Sequence, residues 1–241
     1  YMGYGVSYYG ADNGWAYITV TGGVGAYYYL WEDGSTNNDI HDKEAGAYSV
    51  EVTDENGCAI SIEIDIIEPD EMIISETHSD YNGYGVSCNG FLDGWIDITV
   101  VGALNPNDPS IGYIYQWTGV DENGNFIDLS SQLNNQDLSN LPAGNYTFSV
   151  EVDIPDGESF ISSCAYSDVV TLTEPLALDL FVTQNNTSCN GFSDAWIDIT
   201  VVGGTGVYVY DWSNGAISQD VSNLSEGTYS VLVIDTNGCQ I

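Results

Sequence analysis

Apolar and polar residues alternate along this chain in short runs with a period of two, and the alternation stops at glycines and asparagines. In "WIDITVVG", Ile96, Ile98 and Val100 share one face while Trp95, Asp97 and Thr99 share the other, as in a half-buried strand. "YVYDW" sets Tyr208, Tyr210 and Trp212 on one face, and "GTYSVLVID" does the same for Tyr229, Val231 and Val233. Gly or Asn-Gly turns separate such runs, and no segment of helical length and period competes with them.

The order of these runs repeats. From Tyr8 to Trp15, from Cys88 to Trp95 and from Cys189 to Trp196 the step is seven residues, leading into "GWAYITV", "GWIDITV" or "AWIDITV". At one constant offset Trp31 matches Trp212, Gly46 matches Gly227, Tyr48 matches Tyr229, and "DENGC" ending at Cys58 matches "DTNGC" ending at Cys239. A middle copy keeps the order, with "YIYQW" at Trp117 and "LPAGNYTFSVEV" from Leu141. Its extra polar residues around 103–110, 119–134 and 153–162 are predicted loops. Glu-Pro at Pro69 and at Pro175 marks short, stiff linkers, which gives repeats over 1–69, 70–175 and 176–241. The first copy opens without the strand that precedes the others and the third stops two residues past Cys239, so a longer array is expected.

Short alternating strands around a central Trp, with Gly-x-Tyr before a late strand, predict an all-β chain: tandem immunoglobulin-like β-sandwich repeats in an extended array. Trp31, Trp117 and Trp212 are assigned to cores, and the hydroxyls of Tyr48, Tyr146 and Tyr229 to tyrosine corners. With 43% hydrophobic residues and 27 glycines in 241 residues, the chain has apolar material for several modest cores and many turns.

Charge removes one class of partner. Thirty-six acidic residues stand against the single Lys43, a formal net charge of -35. A nucleic acid is therefore repelled over the whole surface. Neither a signal peptide nor an apolar run of membrane-spanning length is found, so no membrane insertion by this segment is expected.

The run "SCNGFSDAWIDITVVGGTGVYVYDWSNG", followed by "SNLSEGTYSVLVIDTNGC", resembles the SprB-type repeats of very long surface adhesins from gliding bacteria of the Bacteroidota. The shared order is Cys-x-Gly, Gly-Gly, Tyr-x-Trp, Gly-x-Tyr and Asp-x-Asn-Gly-Cys. All three copies carry the resemblance and the third carries it best, while Tyr8, the enlarged middle copy and the scarcity of basic residues depart from it. The resemblance implies an extracellular, secreted, stalk-forming protein at the cell surface, which links envelope machinery to a substratum and has no enzymatic activity.

Five cysteines leave one odd. If each copy closes on itself, Cys88 pairs with Cys164 and Cys189 with Cys239, and Tyr8 leaves Cys58 as the unpaired thiol. Each such bridge closes roughly fifty residues and stabilises by about 4 kcal/mol on a chain-entropy argument. Two readings of Cys58 stand: a buried free thiol beside Tyr8, or an intermolecular or non-local disulfide.

The acidic residues raise calcium as a cofactor, because hard oxygen ligands recur at turns and strand edges. Glu68, Asp70 and Asp54 are the candidates at a repeat junction, with Asp97 and Asp198 on strands. The competing reading is a diffusely solvated acidic surface, since no EF-type loop is present. Asp39, Asp137 and Asp220 each fall seven residues before the glycine of Gly-x-Tyr and are expected to cap turns.

Parity puts Trp15, Trp95 and Trp196 opposite the Ile and Val face. There they form a candidate contact surface for sugars or a like chain, or pack over their own linker or the next repeat. His41 and His78 have no counterparts in the other copies, and no nucleophile, zincin or phosphate-loop motif occurs. Repeated small sandwiches offer convex surfaces rather than clefts that shift a carboxyl pKa, so no enzyme is expected.

The reading is a structural stalk segment of a long secreted cell-surface adhesin or filament. Its expected partners are neighbouring repeats, like chains in a fibre, and anchoring machinery reached through other regions. The alternative is a glycan-binding module or a static fibre or sheath. A binder needs the same outward residues in every copy, and Tyr17 in place of Asp97 and Asp198 favours the spacer.

Overall fold

The computed structural model describes residues 5–6, 8–103, 112–153 and 165–241. Cys164 and most of the predicted loops at 103–110 and 153–162 lie outside the described residues. Sixteen strands and no helix are found among the described residues.

Repeat 1 contributes β1 (Gly14–Tyr17), β2 (Tyr27–Trp31), β3 (Asp39–Lys43), β4 (Gly46–Asp54) and β5 (Ala59–Ile66), with sheets ordered β1-β3 and β2-β4-β5. Repeat 2 contributes β6 (Ile73–His78), β7 (Gly94–Val101), β8 (Gly112–Val120), β9 (Leu138–Leu141), β10 (Gly144–Asp153) and β11 (Ala165–Leu172), with sheets β6-β7-β9 and β11-β10-β8. Repeat 3 contributes β12 (Asp179–Asn185), β13 (Ala195–Val202), β14 (Val209–Trp212), β15 (Val221–Leu224) and β16 (Val231–Ile234), with sheets β12-β13-β15 and β14-β16. A bridge from Ile234 to Gln240 starts the next strand position. In repeat 2 the first, second and fourth strands form one sheet and the third, fifth and sixth the other, which is the strand distribution of an immunoglobulin-like sandwich.

The chain divides into two compact units, one of Tyr1–Ser75, Thr99–Tyr115 and Ser149–Ser167, the other of Glu76–Ile98, Gln116–Phe148 and Asp168–Ile241. The first holds all of repeat 1 and the second all of repeat 3; the cut passes through the strands of repeat 2.

Each sandwich is packed around one tryptophan on its third strand position. Trp31 sits among Ala16, Ile40, Val50 and Val52, and Trp212 among Ile199, Val221, Leu224 and Val233. Trp117 lies 5.2 Å from Phe148, ring centre to ring centre. A buried indole needs an acceptor for its N–H. The Nε1 groups of Trp31, Trp117 and Trp212 donate at 2.9 Å to the carbonyls of Asn37, Asn135 and Ser218. The tyrosine corners form: the hydroxyls of Tyr48, Tyr146 and Tyr229 donate to the carbonyls of Glu44, Pro142 and Ser225, each four residues earlier.

Asp137 and Asp220 do not cap turns as expected. Asp137 Oδ1 accepts the N–H of Ile98 and Asp220 Oδ1 the N–H of Ile199, both at 3.0 Å. Gln136 and Gln219 donate Nε2 to the carbonyls of the same two residues. Each Gln-Asp pair thus serves both backbone groups of one central-strand residue, as a strand would. At Asp39 the carboxylate instead faces His41 at 3.0 Å, and the N–H of Ile18 goes to the carbonyl of Asn38.

Candidate functional site

The loop between the first and second strands of repeat 2 ends against its own linker. Val86 N–H donates to the Thr173 carbonyl at 3.1 Å, and Glu174 accepts Gly90 N–H at 2.7 Å and Asn89 Nδ2 at 2.8 Å. Repeat 1 does the same: Gly5 N–H reaches the Ile67 carbonyl at 2.7 Å and Glu68 accepts Gly10 N–H at 2.7 Å. Glu68, a calcium candidate by sequence, is here an acceptor that pins a loop.

The Asp-x-Asn-Gly-Cys turn follows the fifth strand, at the other end of the sandwich. In repeat 3 Asp235 organises it, accepting Cys239 N–H at 2.8 Å through Oδ1 and Thr205 N–H at 2.7 Å through Oδ2. Asp54 does the same in repeat 1 with Cys58 and Val24, at 2.9 and 3.0 Å. The Cys58 N–H, with those of Val24 and Asn56, holds the Asp54 carboxyl below the usual carboxylate range. With those oxygens taken, Asp54 is part of the turn.

These placements overturn the pairing of each repeat with itself. Cys88 is bonded to Cys239, 151 residues away, with Cα atoms 5.7 Å apart. Cys189 is a free, exposed thiol, and so is Cys58. The reason is strand direction. The loop cysteine and the turn cysteine of one repeat sit at opposite ends of its sandwich, about 25 Å apart for a strand of eight residues such as β13. A disulfide needs Cα atoms within about 7 Å. The loop of repeat 2 instead meets the turn of repeat 3, so the bond crosses the joint. Cys58 is therefore not buried beside Tyr8: it lies on the exposed turn, while Tyr8 packs at the linker end against the cluster of Val6, Ala11 and Ile66.

The joint between repeats 2 and 3 has further contacts. Asn237 Nδ2 donates to the carbonyls of Tyr81 at 3.1 Å and Ser87 at 2.9 Å, and its Oδ1 accepts from Asn82. Gly204 N–H donates to the Leu176 carbonyl at 2.8 Å, and Gly203, at φ 77°, lies so close to the Ala177 carbonyl that any Cβ would strike it. Asn237 was missed by sequence; its recurrence as Asn56 in the matching turn was the available signal.

Trp15, Trp95 and Trp196 are 54%, 41% and 38% exposed. Beside each the strand register shifts, between Gly14 and Ala16, Gly94 and Trp95, and Ala195 and Trp196, and such bulges re-aim side chains. Trp95 stays exposed although repeat 3 follows it, so packing on the next repeat does not cover it. Beside Trp196 a shallow groove of about 390 Å³ is lined by Gln184, Asn186, Glu226, Thr228 and Tyr229 among others.

Among the described residues no three His, Cys, Asp or Glu side chains are grouped as a metal ion requires. Asp97 and Asp198 stand on the exposed faces of β7 and β13, and the N–H of Ala103 donates to the backbone carbonyl of Asp70 at 2.8 Å. No helix among the described residues is long and apolar enough to cross a membrane.

Residues 182–217 match the SprB repeat. The match runs from β12 to just past Trp212 and bears out the SprB-type resemblance there. No curated protein matches the chain. Among solved structures, the N-terminal four immunoglobulin domains of Dscam1 isoform 6.9 align at 11% identity and a TM-score of 0.29, covering 88% of this chain and 62% of that one. Those of isoform 9.44 align at 12% identity and a TM-score of 0.29, with the same coverages. The chain thus spans less than two thirds of the structures it aligns with. A SprB repeat on an immunoglobulin-like sandwich, with a disulfide, fits an extracellular, stalk-like module of a non-enzymatic kind.

Proposed function

We propose that this chain is a structural stalk segment of a long secreted cell-surface adhesin or filament, linking gliding or adhesion machinery at the envelope to a substratum. The covalent joint supports this reading most strongly. A disulfide that crosses from repeat 2 to repeat 3 keeps neighbours in contact when the chain is pulled, which a freely hinged string of domains does not do. The SprB repeat match supports the adhesin side of the reading. On this reading the partners are neighbouring repeats, like chains in a fibre, and anchoring machinery reached through other parts of the protein.

Filming living cells labelled with a fluorescent antibody against this segment tests it. Signal that travels along the cell surface is expected for a gliding adhesin; fixed surface signal assigns the stalk to a static fibre or sheath; signal confined to the cell interior overturns the proposal.

A second reading, a glycan-binding module, is favoured by the exposed Trp196 and the polar groove beside it. It requires that W196A abolish retention on immobilised surface polysaccharide that the unaltered chain shows.

A further inference from the structure

The one disulfide among the described residues has a clear form: the loop cysteine of one repeat bonds the turn cysteine of the repeat that follows. Of the three other cysteines, Cys164 lies outside the described residues, and the two described ones fit its two halves. Cys189 occupies the loop position of the last repeat and Cys58 the turn position of the first.

Both free halves already hold the bonded geometry. Around Cys88, Asp93 accepts Ser87 N–H at 3.0 Å and Cys88 accepts Phe91 N–H at 3.1 Å through its carbonyl. Around Cys189, Asp194 accepts Ser188 N–H at 3.0 Å and the Cys189 carbonyl accepts Phe192 N–H at 3.1 Å. At the bonded turn Asp235 N–H donates to the Cys239 carbonyl at 3.0 Å, and at the free turn Asp54 N–H donates to the Cys58 carbonyl at 3.0 Å. The halves differ in what covers them. Cys88, Ser87 and Cys239 are buried in the joint, whereas Cys189, Ser188, Cys58 and Asn56 are exposed. Asn56 occupies the position from which Asn237 donates to the partner loop.

We propose that Cys189 and Cys58 are the two halves of a further inter-repeat joint. Cys189 takes the turn cysteine of a repeat placed after repeat 3, Cys58 takes the loop cysteine of a repeat placed before repeat 1, and a second copy of this chain placed in tandem supplies both. The link is heterologous: the repeat 3 loop of one copy meets the repeat 1 turn of the next, two different surfaces, so it propagates rather than closing into a symmetric dimer. The chemistry is thiol–disulfide exchange with a small-molecule disulfide such as oxidised glutathione. The thiolate of one cysteine attacks the small disulfide and releases one thiol. The thiolate of the other then attacks the protein sulfur of the mixed disulfide and releases the second. Two protein thiols are oxidised, and one small disulfide is reduced to two thiols that carry the two protons. This inference rests on the joint and holds whether or not the array serves adhesion.

The test is a tandem fusion of two full copies, in which residues 61–80 are repeated between Ile241 and the second Tyr1 so that the connection reproduces the one between repeats 1 and 2. The first copy carries C58S, so that a Cys58 peptide reports only on the second. After exposure to oxidised glutathione, free thiols are alkylated and the protein is mapped by mass spectrometry without reduction. The expected result is a peptide linking Cys189 to Cys58, alongside Cys88–Cys239 in each copy, with Cys58 returning to the alkylated pool when Cys189→Ser is added to the first copy. Cys58 that stays alkylatable in the fusion, or that is bonded with equal frequency to other cysteines, overturns the proposal. The fusion before exposure to oxidised glutathione, with Cys58 and Cys189 as exposed free thiols, sets the baseline.

Discussion

The residues that shape this molecule most are short polar side chains that stand in for backbone. Asp220 accepts the N–H of Ile199, and Ile199 is fully buried. Truncating the carboxylate strands a buried donor, which costs about 1–3 kcal/mol. Asp220→Ala is therefore expected to lower the urea midpoint of the transition reported by Trp212 fluorescence, while Asp220→Asn, which keeps an acceptor, retains most of the stability. The same logic applies to Asp137 and Ile98. The sequence showed that these aspartates recur seven residues before the glycine of Gly-x-Tyr, which suggested turn caps. It could not show that they reach across to another strand, because the partner lies 21 residues away for Asp220 and 39 for Asp137. Recurrence reports that a side chain has a structural task; only the fold reports which backbone group it meets.

At the scale of elements, strands and cores were legible and the joint was not. The period of two in "WIDITVV" places Ile96 and Ile98 in the core and Trp95 outside, as the burial of β7 shows. The sandwich cores form where Trp31, Trp117 and Trp212 were assigned. Pairing the cysteines within each repeat went wrong because spacing along the chain carries no information about which end of a sandwich a loop occupies. Counting strand reversals would not have corrected it, because strict alternation puts a loop after the first strand and a turn after the fifth at the same end; it is the bonds of Gly204 to Leu176 and of Thr205 to Asp235 that place the turn at the other end, where the repeat begins. The disulfide that does form closes a segment of 151 residues. On a chain-entropy argument it stabilises by about 5 kcal/mol. Cys88→Ser, or a reductant, is expected to lower the denaturation midpoint of repeats 2 and 3 and leave that of repeat 1 where it was, read from protease sensitivity mapped along the chain. An equal fall in all three repeats would mean that the bond stabilises something other than the joint.

For the molecule as a whole, charge sets how conditions act. A net charge of -35 opposes any compact state, so added salt should raise the melting temperature by screening. Calcium and magnesium at equal concentration should act alike; a rise specific to calcium would instead reveal a formed cage. Acid has two opposed effects. Protonating carboxylates relieves repulsion and stabilises. Among the described residues, five aspartates are held below the usual carboxylate range. The Lys43 ammonium holds Asp33 down to about 2. Asp54 is lowered by the Cys58 N–H, Asp121 by the Asn125 amide, Asp128 by the Ser130 N–H and Asp194 by the Ser188 hydroxyl. A carboxyl whose folded pKa is depressed contributes stability that is present above its unfolded pKa and is lost as pH falls through its folded one. The turns that place Cys58 and Cys189 should therefore outlast the relief of repulsion and fail only in stronger acid. Thermal melts of dilute protein are expected to show stability rising from pH 7 to a maximum at roughly pH 4–5, where ordinary carboxylates titrate, and falling steeply below it. A fall that begins directly below pH 7 would mean that repulsion is not what limits this fold, and that local carboxylate bonds dominate even at a net charge of -35.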